Sequence, residues 1–196
     1  MPRPAKRDEL IDLAMQLFNR HGYRATGVDR IMEETGIAKT TLYRHFGSKE
    51  ELIVAALAKV DEDARDELRT FVEQASSDPR ERLLATFGQL ALWLEDCEFN
   101  GCPFIAAAAE YGDRTDPVFQ QARLHKRLTL AYFEELARAA KLADPKTIAK
   151  QIMMLHEGAI AYAQVLGCQG VVDTARHAAQ RLIDAATASP ADGRTR

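Results

Sequence analysis

A chain of 196 residues that is 46% hydrophobic can build one sizeable core, or a small domain leaning on a larger one. It contains no apolar run of the about 18 residues that a membrane span needs, and three cysteines fit a reducing compartment better than a disulfide framework. The net charge of −3 is unevenly spread: residues 1–49 hold nine Lys/Arg against six Asp/Glu, leaving an acidic remainder. An acidic body with a basic head suits a module that presents one end to a polyanion.

Strand-like alternation of β-branched residues is absent, whereas helical periodicity runs through the chain, so the fold class is all-α with about nine helices. The basic start Met1–Arg7 leads into a charged, periodic helix over 5–21 rather than an apolar signal segment, and a cytoplasmic location follows. Leu10, Leu13, Ala14, Leu17 and Phe18 form its apolar stripe. Short helices are expected over 27–34 and 38–45, then a long one over 48–75 opened by the capping pattern Ser48-Lys-Glu-Glu51. Asp78-Pro79, Asp116-Pro117 and Asp144-Pro145 each place a capping carboxylate before a proline at the first helical position. They open helices over 79–97, 117–141 and 145–167; helices over 101–111 and 171–187 complete the set. Gly22, Gly36, Gly112 and Gly167 stand where helices should stop. Ile148, Ile152, Leu155, Ala159, Tyr162 and Leu166 trace an apolar row along the eighth helix.

The segment Thr26–Phe46 carries the function. Val28, Ile31 and Met32 on one short helix face Leu42 and Phe46 on the next, with Ile37 in the corner and Gly36 free to adopt the left-handed turn. The opposite face of the second helix then shows Lys39, Thr40, Tyr43 and Arg44, a set of donors and cations suited to a DNA major groove.

Gly36-Ile-Ala-Lys-Thr-Thr-Leu-Tyr-Arg-His-Phe-Gly-Ser-Lys-Glu-Glu-Leu52, with Leu17-Phe18-Asn-Arg-His-Gly-Tyr23 upstream, resembles the tetracycline-repressor (TetR) family over residues 8–55. The resemblance implies a three-helix helix-turn-helix DNA-binding domain over 1–47. A helical ligand-binding and dimerisation domain over 48–188 and a flexible tail over 189–196 would follow. It places Lys39, Thr40 and Thr41 at base edges and Tyr43 and His45 at phosphates, with Arg44 on the same face. Lys49 would offer a further phosphate contact from the fourth helix. Thr26 would cap the second helix, with Asp29 answering, and could touch the DNA backbone. Ala38 departs from the serine cap usual in the family, which starts the recognition helix less firmly.

A two-fold DNA site demands a homodimer. Small residues on the last two helices let backbones approach, which makes Gly158, Ala159, Ala163, Gly167, Ala178, Ala179 and Leu182 candidates for the interface. Packing inside one chain is the other use of such residues. Trp93, Cys102, Phe104, Glu110, His125, Tyr132, Met153 and His156 are candidates for an effector pocket, against the plainer role of core or surface residues. A small-molecule effector of unstated identity would tilt the helix over 48–75 and respace the recognition helices, by resemblance to the family.

Cys97 and Cys102 lie at a helix junction, and a redox- or electrophile-sensing role is the alternative for them. Buried inert thiols are the competing explanation, because Glu95, Asp96 and Glu98 oppose thiolate formation. No phosphate loop, metal-binding His pair or nucleophile elbow appears, so neither an enzyme, a cofactor nor a metal is expected. A helical protein-interaction module would leave the face of Lys39, Thr40 and Tyr43 unexplained.

Overall fold

The computed structural model describes residues 4–96 and 98–187, with side chains from Arg7 onward. Cys97 and the expected tail over 189–196 lie outside the described residues. Nine helices and no strand are present among the described residues. They are α1 (Pro4–His21), α2 (Val28–Thr35), α3 (Lys39–His45), α4 (Lys49–Ala75), α5 (Pro79–Leu94), α6 (Pro103–Glu110), α7 (Pro117–Ala139), α8 (Pro145–Leu166) and α9 (Val171–Thr187).

The Asp-Pro starts form as their chemistry requires. Asp78 accepts from the Arg80 and Glu81 N–H groups, Asp116 from Val118 and Asp144 from Thr147, so each carboxylate satisfies a first-turn donor. The Ser48 box is displaced by one residue on its return side. Glu51 N–H donates to Ser48 Oγ, yet the Glu51 carboxylate accepts from Gly47 N–H (2.8 Å) rather than from Ser48. Three expected ends shorten for local reasons. α5 stops at Leu94, where Asp96 Oδ1 captures the Glu98 N–H and competes with the helical ladder. α6 starts at Pro103, behind Gly101 at φ +89°, and α7 stops at Ala139, ahead of the left-handed Lys141.

The chain forms two compact units, whose division falls inside α4 and α7. A helix of 27 residues is about 40 Å long, so its two ends serve different cores. The first unit is Met1–Ala64 with Cys102–Lys126. Its core includes Leu10, Leu17, Phe18, Ile31, Leu42, Phe46, Leu52, Leu57 and Phe104, all buried. The second unit is Arg65–Gly101 with Arg127–Arg196, in which α9 packs against both α5 and α8. Its core includes Leu83, Phe87, Phe133, Ile152, Ala159 and Ile183. No helix among the described residues is long and apolar enough to cross a membrane.

The apolar row on α8 differs from the one its spacing suggests. Tyr162 and Leu166 are 50% and 69% exposed, and the buried row is instead Ile148, Ile152, His156, Ala159, Ile160 and Ala163. α8 is apolar on two faces, so hydrophobicity alone does not say which one turns inward.

Candidate nucleic-acid interface

Helix α3 is held from one side and open on the other. Leu42 and Ile31 are fully buried, and Gly36 makes the turn at φ +67° while its N–H closes on Met32 O. Lys39, Thr40, Tyr43 and Arg44 are exposed, and Thr41 is half-buried. Lys39 Nζ meets Asp29 Oδ1 at 3.1 Å across the turn, an exposed pair that is easily exchanged for a phosphate or base. Ala38 stands at the N-cap without a side-chain bond, as its chemistry dictates. His45 Nε2 is buried without a hydrogen-bond partner among the described residues.

Two of the expected DNA contacts are otherwise engaged. Thr26 is fully buried, and its hydroxyl donates to Gly22 O at 2.6 Å; the N-cap of α2 is Gly27, with no side-chain bond. Thr26 therefore does not cap α2, because its side chain seals the corner between α1 and α2. Lys49 Nζ donates to the carbonyls of Tyr23 (3.0 Å) and Thr26 (3.3 Å), so a phosphate would compete with backbone acceptors for it.

The same corner is gripped from α6, a contact that no local spacing signals. Tyr23 N–H and Arg24 N–H donate to the two carboxylate oxygens of Glu110 at 2.9 and 2.6 Å. Arg24 Nε donates to Glu110 O at 2.7 Å and its guanidinium lies over the Tyr111 ring, while Tyr23 Oη donates to Pro103 O at 3.0 Å. Burial, then the nearby Cys102 and Glu110, push the Tyr23 phenol far up, which keeps the proton it donates. Tyr111 is pushed up to about 12, chiefly by burial and then by Glu50.

The effector-pocket candidates are distributed over both units. Glu110 is a correction, since its carboxylate is spent on backbone N–H groups rather than left to orient a ligand. In the first unit, Phe104 stacks on the His125 ring at 3.6 Å, His125 Nδ1 meets the buried Asp61 at 2.8 Å, and Lys126 Nζ donates to Cys102 Sγ at 3.3 Å. In the second, His156 is buried against Phe87 and Phe133 with Nε2 3.0 Å from Thr86 Oγ1. Trp93 meets Phe99 edge-on, and Met153 is half-buried. Tyr132 lines a cavity of about 130 Å³ with Arg65, Leu68, Arg69, Leu128, Thr129, Ala131 and Glu135. The Arg69 guanidinium sits 4.2 Å from the Tyr132 ring centroid, and burial pushes the Tyr132 phenol up.

The interface candidates also divide. Ala159, Ala163 and Ala179 are buried within this chain, a correction that assigns them to the packing of the second unit. Gly158 and Gly167 are exposed, and Ala178 and Leu182 are half-buried. Beside Gly158, the exposed face of α8 carries Met154, Tyr162, Val165 and Leu166, at 73%, 50%, 79% and 69% exposure. Steps of four, three and four from Met154 through Gly158 and Ala161 to Val165 place these residues on one face of α8.

A three-helix head with a polar outward helix, continued into an all-helical body, is the build of a helix-turn-helix transcriptional regulator. The family model of bacterial regulatory proteins of the tetR family matches residues 10–56, and the tetracyclin repressor-like C-terminal domain matches 79–179. The chain is 31% identical to the transcriptional regulator LmrA of Bacillus subtilis, covering 71% of this chain and 75% of that protein. It is 25% identical to the Escherichia coli regulator YjdC over 91% and 93% of the two chains. The crystal structure of SCO4454, a TetR-family regulator from Streptomyces coelicolor, superposes with a TM-score of 0.86 at 27% identity, covering 92% of this chain and 95% of that one. The chain belongs to the TetR family of transcriptional regulators, and it is a regulator rather than an enzyme.

Proposed function

We propose that this protein binds a palindromic DNA operator as a homodimer, acts as a repressor in the cytoplasm, and is released by a small-molecule effector. DNA contacts lie within 1–47, joined by Lys49 at the start of α4, and effector and partner contacts lie within 48–188. The observation that carries this is the exposed row Lys39, Thr40, Tyr43 and Arg44 on a helix whose other face is anchored by the fully buried Leu42. Its side chains offer donors and positive charge without a large aliphatic group, which suits base edges and phosphates. The exposed apolar face of α8 supports the dimer, because a second copy would cover Met154, Val165 and Leu166 and set two recognition helices on one duplex.

Selection of duplexes from random DNA, with sedimentation of the free protein, tests the proposal. The expected result is an inverted repeat bound with steep salt dependence by a dimer. A monomer, or one indifferent to duplex DNA at low ionic strength, overturns it. Repeating the binding assay with a small-molecule panel identifies compounds that lower operator affinity; compounds that bind without changing it would refute the effector mechanism.

A second reading is sensing of electrophiles or oxidants through Cys102, with Cys97 as its neighbour in sequence. It is favoured by the contact in which Lys126 Nζ donates to Cys102 Sγ at 3.3 Å. Cys102→Ser should then abolish operator release by oxidants; unchanged release removes this reading.

A further inference from the structure

We infer that α6 belongs mechanically to the DNA-reading head, and that Glu110 is the positioning residue that joins them. The inference rests on the DNA-binding reading above for its functional meaning, but its geometry stands separately.

The dipeptide Tyr23-Arg24 holds both ends of α6. At the first residue Tyr23 Oη donates to Pro103 O at 3.0 Å. At the last, the N–H groups of Tyr23 and Arg24 donate to Glu110 Oε1 and Oε2, and Arg24 Nε returns a bond to Glu110 O. The carbonyl of Tyr23 meanwhile accepts from Lys49 Nζ on α4. A carboxylate thus faces the N–H side of the corner and an ammonium its C=O side, so both contacts are charge-assisted. Gly22 makes room for this at φ +87°, where an added Cβ would lie 3.1 Å from Glu110 Oε1.

Of its eight residues only Phe104, stacked on the His125 ring, and Ala107 are buried, so the polar bonds to the corner add to a small apolar anchor. The corner is followed within a few residues by Val28, the first residue of α2, which carries α3 in turn. A displacement of α6 must then either drag the start of the helix-turn-helix or break the Glu110 bonds, and both outcomes change how α3 meets DNA. Glutamine at 110 would keep one acceptor but set an NH₂ donor against the second N–H, so Glu110→Gln separates the paired acceptors from side-chain bulk.

Amide exchange at Tyr23 and Arg24 and affinity for the selected operator are to be measured in the wild type, Glu110→Ala and Glu110→Gln. A core substitution of similar destabilisation in α5, Leu83→Val, serves as the control for a merely structural loss. Expected is roughly tenfold faster exchange at these two amides in Glu110→Ala, with Glu110→Gln intermediate. Operator affinity should fall about tenfold in Glu110→Ala, in the usual range of coupling between sites, and stay unchanged in Leu83→Val. Unchanged exchange, or an affinity loss matched by Leu83→Val, overturns the inference. If the wild type binds no duplex at all, the DNA reading fails by itself, and the exchange measurements still decide whether Glu110 holds the corner.

Discussion

Helices α3 and α8 are anchored alike and finished differently. Each buries an aliphatic row, Leu42 on α3 and Ile148, Ile152 and Ile160 on α8. Outward, α3 offers Lys39, Thr40, Tyr43 and Arg44, whereas α8 offers Met154, Tyr162, Val165 and Leu166. The buried rows say only that both helices belong to folded units. The outward faces differ in what would replace water: a polyanion suits the first, and an apolar surface the second. Function in this molecule is therefore read from what stays exposed, not from what is buried.

The sharpest way to break that contrast is to give α8 the character of α3. Val165→Glu places a charge where the proposed partner would desolvate it, and sedimentation should show a monomer. Operator affinity should drop by roughly two orders of magnitude as the benefit of two linked half-sites disappears. A dimer that survives this substitution would show that the apolar face has another use. Next in size is the anchor of α3: Leu42→Ala should cost about 2–5 kcal/mol in urea unfolding, because the buried side chain leaves a cavity.

Smaller effects sharpen the polar side. Lys39→Ala should cost roughly 1–3 kcal/mol of operator binding and relax preference at one base position in a repeated selection. Arg44→Ala should instead weaken all duplexes alike and reduce the slope of affinity against salt by about one. The smallest expected effect concerns the start of α8. Bonds from Thr147 hold the Asp144 carboxyl below its ordinary value of 3.8. Its contribution is thus present above that value and is lost as pH falls through the lowered one. Thermal melts of Asp144→Asn and wild type should differ at neutral pH and converge in strong acid.

Much of the fold was legible because its signals are local. In the head Leu42 and Phe46 repeat at helical spacing and Gly36 supplies the turn, and elsewhere Asp78, Asp116 and Asp144 cap the first turns that follow them. Thr26 misled because its position before α2 suits a cap, while its burial follows from the bond to Gly22 O. Ala159, Ala163 and Ala179 misled because a small residue permits close packing on either face of a helix, within a chain or between copies.

Sequence alone determined the helical class, most helix boundaries and the polarity of the α3 surface, since each depends on residues within about one helical turn of one another. Only the tertiary structure decided that Glu110 and Lys49 close on the Tyr23–Thr26 corner from opposite sides, and which apolar face of α8 remains in solvent. Those contacts join residues as far as 87 positions apart, and folding, not local spacing, brings them together.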